Sequence, residues 1–288
     1  EGILENKFLN DLKKKFKDYK LIPLNKKEYN YNSFFSKYIK PILAIFEIWI
    51  CHLKGNRVAY INYLPLWNFL LFATLPSKTI LGPITGTVNN KKFDSKVKLK
   101  YLLLEKIFYR ITILFFFLKW KQLLFSTNML YFNIPNSIKI KCQFNYILKD
   151  FKIKKIKNLK KNNIIFYYRN HSSKYNSNFF REINKISLNY ELVAFGDNYK
   201  NPNVKNYGIL NTKQLERLMS KCKYTFNGLE NFYSLHLLNS IKNGLFVICD
   251  ETLRKFNFHL KSNNILFYDY KDKNMNKKII NLLKKKIY

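Results

Sequence analysis

Cysteine is scarce and scattered in this chain. Its four thiols, Cys51, Cys142, Cys222 and Cys249, form no C-x-x-C pair and have no histidine at metal-ligand spacing, so neither a zinc site nor a disulfide framework is indicated and a reducing cytoplasm is the expected setting. No G-x-G-x-x-G follows any apolar run, so the dinucleotide-binding fingerprint is missing. Long apolar runs are missing as well: the strongest, Ile111 to Leu118, is bounded by Arg110 and Lys119 and falls well short of the ~20 residues a membrane span requires. The chain opens without Met and without a signal peptide before its first amphipathic pattern, so a fragment is expected.

Acidic residues are few, 18 against 52 Lys and Arg, which leaves a net charge of +34. Such a surface is drawn to polyanions and to anionic membranes. Yet only six of the basic residues are Arg (Arg57, Arg110, Arg169, Arg181, Arg217 and Arg254), whereas base and phosphate recognition favours the bidentate guanidinium. Lys, Asn, Ile, Tyr and Phe are abundant together, as an AT-rich coding sequence would dictate. No specific nucleic-acid partner is expected on this ground.

What the chain does contain is patterned. The 288 residues, 47% of them hydrophobic, are enough for two globular domains. Residues 5–19 place Phe8, Leu9, Leu12 and Phe16 on one helical face, and 42–53 form a second helix after Pro41. A strand at 58–62, a helical stretch through Trp67 and Leu71, and a strand at 79–81 running into the loop "GPITGT" give an α/β rhythm. Residues 102–132 read as mostly helical. The basic segment 149–163 is the clearest break in composition, so the domains are expected at 1–150 and 151–288. Beyond it, strands at 164–168, 191–195, 204–207, 223–226, 245–249 and 264–268 alternate with helices at 176–187, 211–221, 232–243 and 274–286. Six alternating strands predict a Rossmann-like doubly wound sheet, which binds ligands beyond the carboxyl ends of its strands.

Several residues at those ends could carry chemistry. "YYRNHSSKYN" puts Arg169 and Lys174 on the loop entering a helix, where two cations beside free N–H groups suit a diphosphate; a solvated loop is the plain alternative for Lys174. "AFGD" ends the next strand with a glycine and an aspartate that read as turn chemistry. Asn211 and Thr212 read as a helix cap. "GLENFYSLHLLNSIKNG" sets Glu230 in the loop after a strand and its Asn227–Gly228 exit. A carboxylate there can accept paired hydrogen bonds from a ribose diol, while Asn231 and Ser234 offer donors to phosphate at the same helix start.

With these residues in view, the second half resembles the nucleotide-sugar-binding domain of GT-B-fold glycosyltransferases, in particular the group 1 (retaining) families. Those families carry G-R-x4-K-G after the first strand of this domain. Arg169 and Lys174 keep that Arg-to-Lys spacing without the flanking glycines. The later E-G-F-G-L-x-x-x-E-A-x-x-x-G is similar to "ENFYSLHLLNSIKNG" in its Glu, its Phe, its Leu-rich helix and its closing Gly. The second Glu is replaced by Leu238 at the strict spacing, or by Asn239 if Gly244 is the anchor, which leaves retention or inversion open. The resemblance covers roughly residues 160–270.

It implies two Rossmann-like domains in GT-B architecture, facing across a cleft, and a hexosyltransferase-like activity in polysaccharide synthesis. The first domain would hold a glycan or glycolipid acceptor and the second a nucleoside-diphosphate sugar, the donor substrate, with no further cofactor. Arg169 and Lys174 become the catalytic cations on the departing diphosphate. Glu230, Asn231, Ser234 and Gly228 become donor-binding residues, with Gly82 and Thr85 of the first domain near the sugar, beside Pro83 and Gly86. No metal is implied, in keeping with the absence of D-x-D. An inverting reaction would add a general base, for which His52 and Glu47 are available. A first domain of this type begins with a strand and a glycine-rich turn, and only "EGILEN" precedes the first helix here, which fits the expected truncation. A cytoplasmic protein at the inner face of the membrane follows. The alternative is a basic RNA-binding or organellar ribosomal protein, but it should show an RNP-like motif or a basic face with interleaved aromatics, and the sequence has neither.

Overall fold

The computed structural model describes residues 2–18, 20, 40–61, 64–66, 68–85, 99–149, 151, 163–170, 175, 177–188, 190–229, 231–260 and 262–284. They fall into two compact units, one of the residues up to Lys149 and one of those from 151 onward. Trp67, Gly86 and most of the basic segment, 152–162, lie outside the described residues.

The first unit is a ragged parallel α/β layer. Helices α1 (Gly2–Lys15) and α2 (Lys40–Leu53) are followed by β1 (Ala59–Tyr60), β2 (Leu64–Pro65), α3 (Phe69–Thr74), β3 (Ile80–Leu81), β4 (Ile84–Thr85), α4 (Leu99–Leu118), β5 (Leu123–Leu124), α5 (Asn136–Lys139) and β6 (Cys142–Gln143). β1 pairs with β3, β2 with β4 and β5 with β6, all in parallel, and a bridge from Ile84 to Phe125 joins the latter two pairs. Within "GPIT" only Gly82–Pro83 is loop: the Gly82 N–H donates to the Tyr60 carbonyl at 2.8 Å, and Ile84–Thr85 pair as β4. Pro83, which has no N–H to give, falls in the gap between the two ladders. Residues 102–132 are helical over their first part and again in a 3-10 turn at Tyr131–Asn133, with a strand between. α4 ends at Leu118, and the chain turns at Lys119–Trp120 into β5. The core gathers Leu64, Phe72, Leu75, Ile84, Phe116, Trp120, Leu123 and Phe125, each at most 2% exposed.

The second unit is more regular. Its elements are β7 (Ile164–Tyr168), α6 (Ser177–Ile186), β8 (Leu192–Gly196), β9 (Val204–Asn206), α7 (Thr212–Met219), β10 (Tyr224–Phe226), α8 (Leu235–Lys242), β11 (Phe246–Asp250), β12 (Ile265–Tyr268) and α9 (Met275–Lys284). All six strands are parallel, in the order β9-β8-β7-β10-β11-β12. Numbered within the unit this is 3-2-1-4-5-6, the doubly wound Rossmann order. Sequences such as "IIFYY" form central strands because both of their faces are covered. Ile164, Phe166, Leu192, Ala194 and Phe226 pack on Phe179, Ile183 and Ile186 of α6 and on Ile279 and Leu283 of α9. Ile165, Val193 and Phe195 face the other way, onto Leu218 and Met219 of α7. α8 lies over that second face as well, with His236 Nε2 2.7 Å from the Thr225 hydroxyl.

Asn211 caps α7 as expected. Its side chain accepts the Gln214 N–H, and the Gln214 side chain accepts the Asn211 N–H, a full capping box. Each large apolar side chain these helices bury contributes about 1.5–3 kcal/mol. Glu182 of α6 is the exception on a buried face: fully buried, its carboxylate is held by Lys185 Nζ at 2.9 Å, Arg181 Nε at 3.2 Å and the Asn276 N–H at 3.4 Å. Burial alone pushes that carboxyl up, but these hydrogen bonds outweigh it and hold the group below its ordinary 4.5.

Candidate functional site

A doubly wound sheet has one place where successive crossovers leave in opposite directions, and the loops there part to form a crevice. In the second unit that place is the boundary between β7 and β10. Their register pairs Phe166 with Phe226. Arg169 and Leu229 each stand three residues past that pair, with Gly228 just before Leu229 and Asn231 two residues after it. Arg169 is exposed and makes no hydrogen bond or ion pair with a described residue. The exit of β7 is tightly braced around it. The Asn170 N–H donates to Asp197 Oδ2 at 2.7 Å, and the Asp197 N–H donates to the Tyr168 carbonyl at 2.9 Å. Gly196 makes this possible: its φ is +104°, and a Cβ there would lie 2.3 Å from the Tyr168 carbonyl oxygen.

The exit of β10 is organised by Asn227, a residue that sequence reasoning took only for the end of the strand. It is fully buried. Its Nδ2 donates to the carbonyls of Gly228 and Asn231, both at 3.1 Å, and its Oδ1 accepts the Ser234 hydroxyl at 2.7 Å. Ser234 in turn caps α8, accepting the Leu237 N–H at 3.0 Å. Asn231 Oδ1 accepts the Tyr233 N–H at 2.9 Å. The Ser234 hydroxyl and the Asn231 carbonyl groups are thus committed within the loop, which they hold in shape. The Leu235 N–H, in the first turn of α8, has no acceptor among the described residues. Together with the positive end of the helix it is a donor open to an anion, and the next residue, His236, lies 6.4 Å ring to ring from Tyr167 of β7.

Two tyrosines fix these exits from beneath. The buried Tyr270 hydroxyl reaches the carbonyls of Ile248 at 2.7 Å and Asn227 at 3.0 Å. Tyr175 reaches those of Tyr167 and Phe226 at 3.3 and 3.4 Å. Burial pushes the Tyr270 hydroxyl pKa well above its ordinary value, so it acts as a neutral donor.

Lys174 and Glu230 lie outside the described residues. Arg169, Gly228, Asn231 and Ser234 are brought to the carboxyl ends of the adjacent strands β7 and β10. Gly82 and Thr85 belong to the first unit, where Gly82 is buried within the strand pairing and Thr85 ends β4. The carboxyl edge of that unit is polar and buried: Ser126, Thr127 and Asn128 follow β5, and Asn145 follows β6 in a left-handed conformation, φ 61°. The Thr85 hydroxyl and both polar atoms of the Asn145 side chain find no partner among the described residues. The run "STN" at 126–128, inside the span read as mostly helical, was the signal available in the sequence. Of the candidate bases, Glu47 is exposed on α2 and His52 packs edge-on against Trp49 at 5.9 Å. Among the described residues no group of three His, Cys, Asp or Glu could hold a metal ion.

No family model and no curated protein matches the chain. Among solved structures it is similar to TarM, at 14% identity and a TM-score of 0.39, over 51% of this chain and 34% of that one. It is similar to sucrose-phosphate synthase from Thermosynechococcus elongatus, at 12% identity and a TM-score of 0.34, over 44% and 37% of the two chains. A protein proposed to be a UDP-N-acetylglucosamine 2-epimerase from Listeria monocytogenes is similar over 96% of this chain and 78% of its own, at 12% identity and a TM-score of 0.48. The chain spans little more than a third of the length of TarM and of the synthase. At such scores and identities these likenesses carry no argument about activity. The fold rests on the strand order of the sheet itself.

Proposed function

We propose that the protein is a glycosyltransferase of GT-B architecture that uses a nucleoside-diphosphate sugar, held by the second unit, and passes its sugar to a glycan or glycolipid on the first. The observation that carries this reading is the coincidence, at the switch point of a Rossmann-order sheet, of the exposed Arg169 with the N-terminal loop of α8. In the transfer, the bond from the anomeric carbon to the diphosphate oxygen breaks while the acceptor oxygen bonds to that carbon. Negative charge then builds on the departing diphosphate. Arg169 and Lys174 meet that charge, with the Leu235 N–H beside them. Glu230 accepts from the ribose diol, and Gly228, Asn231 and Ser234 hold the loop that presents it. Gly82 and Thr85, with the polar edge around Asn145, serve the sugar and acceptor side.

Thermal-shift measurements with UDP-, GDP- and ADP-sugars test the proposal. At least one should raise the melting temperature of the intact chain, and Arg169→Ala should cut that rise to less than half. No response to any sugar nucleotide, combined with salt-sensitive RNA binding, would overturn it in favour of the RNA-binding alternative.

A further inference from the structure

α2 is apolar on two opposite faces. At 100° per residue, Ala44, Ile45 and Ile48 fall on one side and pack on the core of the first unit. Ile42, Leu43, Phe46, Trp49, Ile50 and Leu53 fall on the other, within an arc of about 120°, and are 40–78% exposed. A helix that only served the fold would carry polar residues there. The patch does not end with α2. The Trp49 indole N–H donates to the Thr74 carbonyl at 2.8 Å, and that of Trp120 donates to the Phe72 carbonyl at 3.3 Å. These bonds draw the C-terminal ends of α2 and α4 to the last turn of α3. Phe117 and Leu118 of α4, 55% and 68% exposed, therefore stand near the same corner. Exposed cations follow both helix ends, Lys54 after α2 and Lys121 after α4, with Arg57 stacked over Phe16 at 5.6 Å, and Lys106 and Arg110 share the helical face of Phe117 on α4. Glu47 is the one acidic residue on α2.

Charge decides between the possible occupants. A second copy of a chain at +34 would bring like charge against like. A surface that is apolar in the middle and cationic at its margin suits a bilayer with anionic headgroups, where the rings and branched side chains enter the acyl boundary and the ammonium groups stay with the phosphates. We infer that the outer face of α2, extended by the end of α4, is a docking surface for an anionic lipid bilayer. No helix among the described residues is long and apolar enough to cross a membrane, so the contact is peripheral. The inference does not depend on the sugar-nucleotide reading.

The test uses the full chain with vesicles of phosphatidylcholine, pure or containing about 30% phosphatidylserine. The chain should sediment with the anionic vesicles alone, and about 0.5 M NaCl should release most of it. Phe46→Ser/Ile50→Ser/Leu53→Ser should lower partitioning by roughly tenfold or more while moving the melting temperature by less than about 2 °C. Anionic vesicles should also shift the tryptophan emission to the blue, and Trp49→Phe should abolish that shift. Three results would overturn the inference: partitioning of the triple variant equal to the parent, a melting temperature several degrees lower because the chain itself covers this face, or a parent dimer that the variant dissolves.

Discussion

Replacing Arg169 with Ala isolates binding from folding unusually well. The side chain is exposed and makes no hydrogen bond or ion pair with a described residue, so its loss should cost the fold less than about 0.5 kcal/mol. A charge-assisted hydrogen bond to a phosphate contributes about 1.5–3 kcal/mol, and its loss weakens affinity by roughly 10- to 150-fold. With a sugar nucleotide at about 100 times its Kd, the parent gains about 2.7 kcal/mol of stability. A 30-fold loss of affinity leaves about 0.9 kcal/mol at the same concentration. For a chain of this size the ligand-induced rise in Tm should fall from roughly 5–10 °C to roughly 2–3 °C, with the unliganded Tm unchanged. Scanning fluorimetry with and without the nucleotide reads both quantities at once. An unaltered ligand shift in the variant would show that the anion is held elsewhere. A lower unliganded Tm would show that the guanidinium serves the fold.

Much of the second unit was legible because parallel strands covered on both faces must be apolar at every position. "IIFYY" and "LFVIC" announce themselves without periodicity, while the helices between them keep apolar residues three and four apart. Each of the six strands and four helices forms within a few residues of its expected span. β5 and β6 escaped notice for the complementary reason. A two-residue strand carries no period, and Leu123–Leu124 continues the apolar composition of α4. The switch-point position of Arg169 and Gly228 could be read from punctuation, since "RN" and "NG" end strands. The hub at Asn227 could not, because it depends on Asn231, Ser234 and Tyr270 meeting in space, and Tyr270 is 43 residues away. Ser234 misled for a related reason. A serine at a helix start reads equally as a phosphate donor or a cap, and only the 2.7 Å bond to Asn227 commits its hydroxyl to the fold.

The remaining predictions probe what holds these edges in place. Gly196→Ala should cost roughly 2–4 kcal/mol in urea denaturation, because the new Cβ meets backbone and the residue keeps φ at +104°; a near-neutral result would mean that the β8 exit can relax. Tyr270→Phe should destabilise by about 1–3 kcal/mol by taking a buried donor from the Ile248 and Asn227 carbonyls, whereas Tyr224→Phe, whose buried hydroxyl has no partner among the described residues, should be neutral or stabilising by up to about 1 kcal/mol. The reverse order in urea midpoints would refute the hydrogen-bond account. Glu182 has a folded pKa below its ordinary 4.5, so the unfolded chain takes up its proton first. Its contribution is complete above that ordinary value and is lost as pH falls through the folded one. Glu182→Gln should flatten the acid limb of stability, and an unchanged limb would discard the role. Asn145 carries the argument for the first unit. Its left-handed backbone suits glycine, and its desolvated amide, with no partner among the described residues, costs the fold about 1–3 kcal/mol. Asn145→Gly should therefore leave stability equal or raise it by up to about 1 kcal/mol, after the added entropy of glycine in the unfolded chain. If that edge receives the acceptor, the same change should raise the acceptor KM while leaving the donor-induced Tm shift intact. A loss of stability in Asn145→Gly would mean that the amide already serves the fold, and an unchanged KM would move the acceptor away from the ends of β4 and β6.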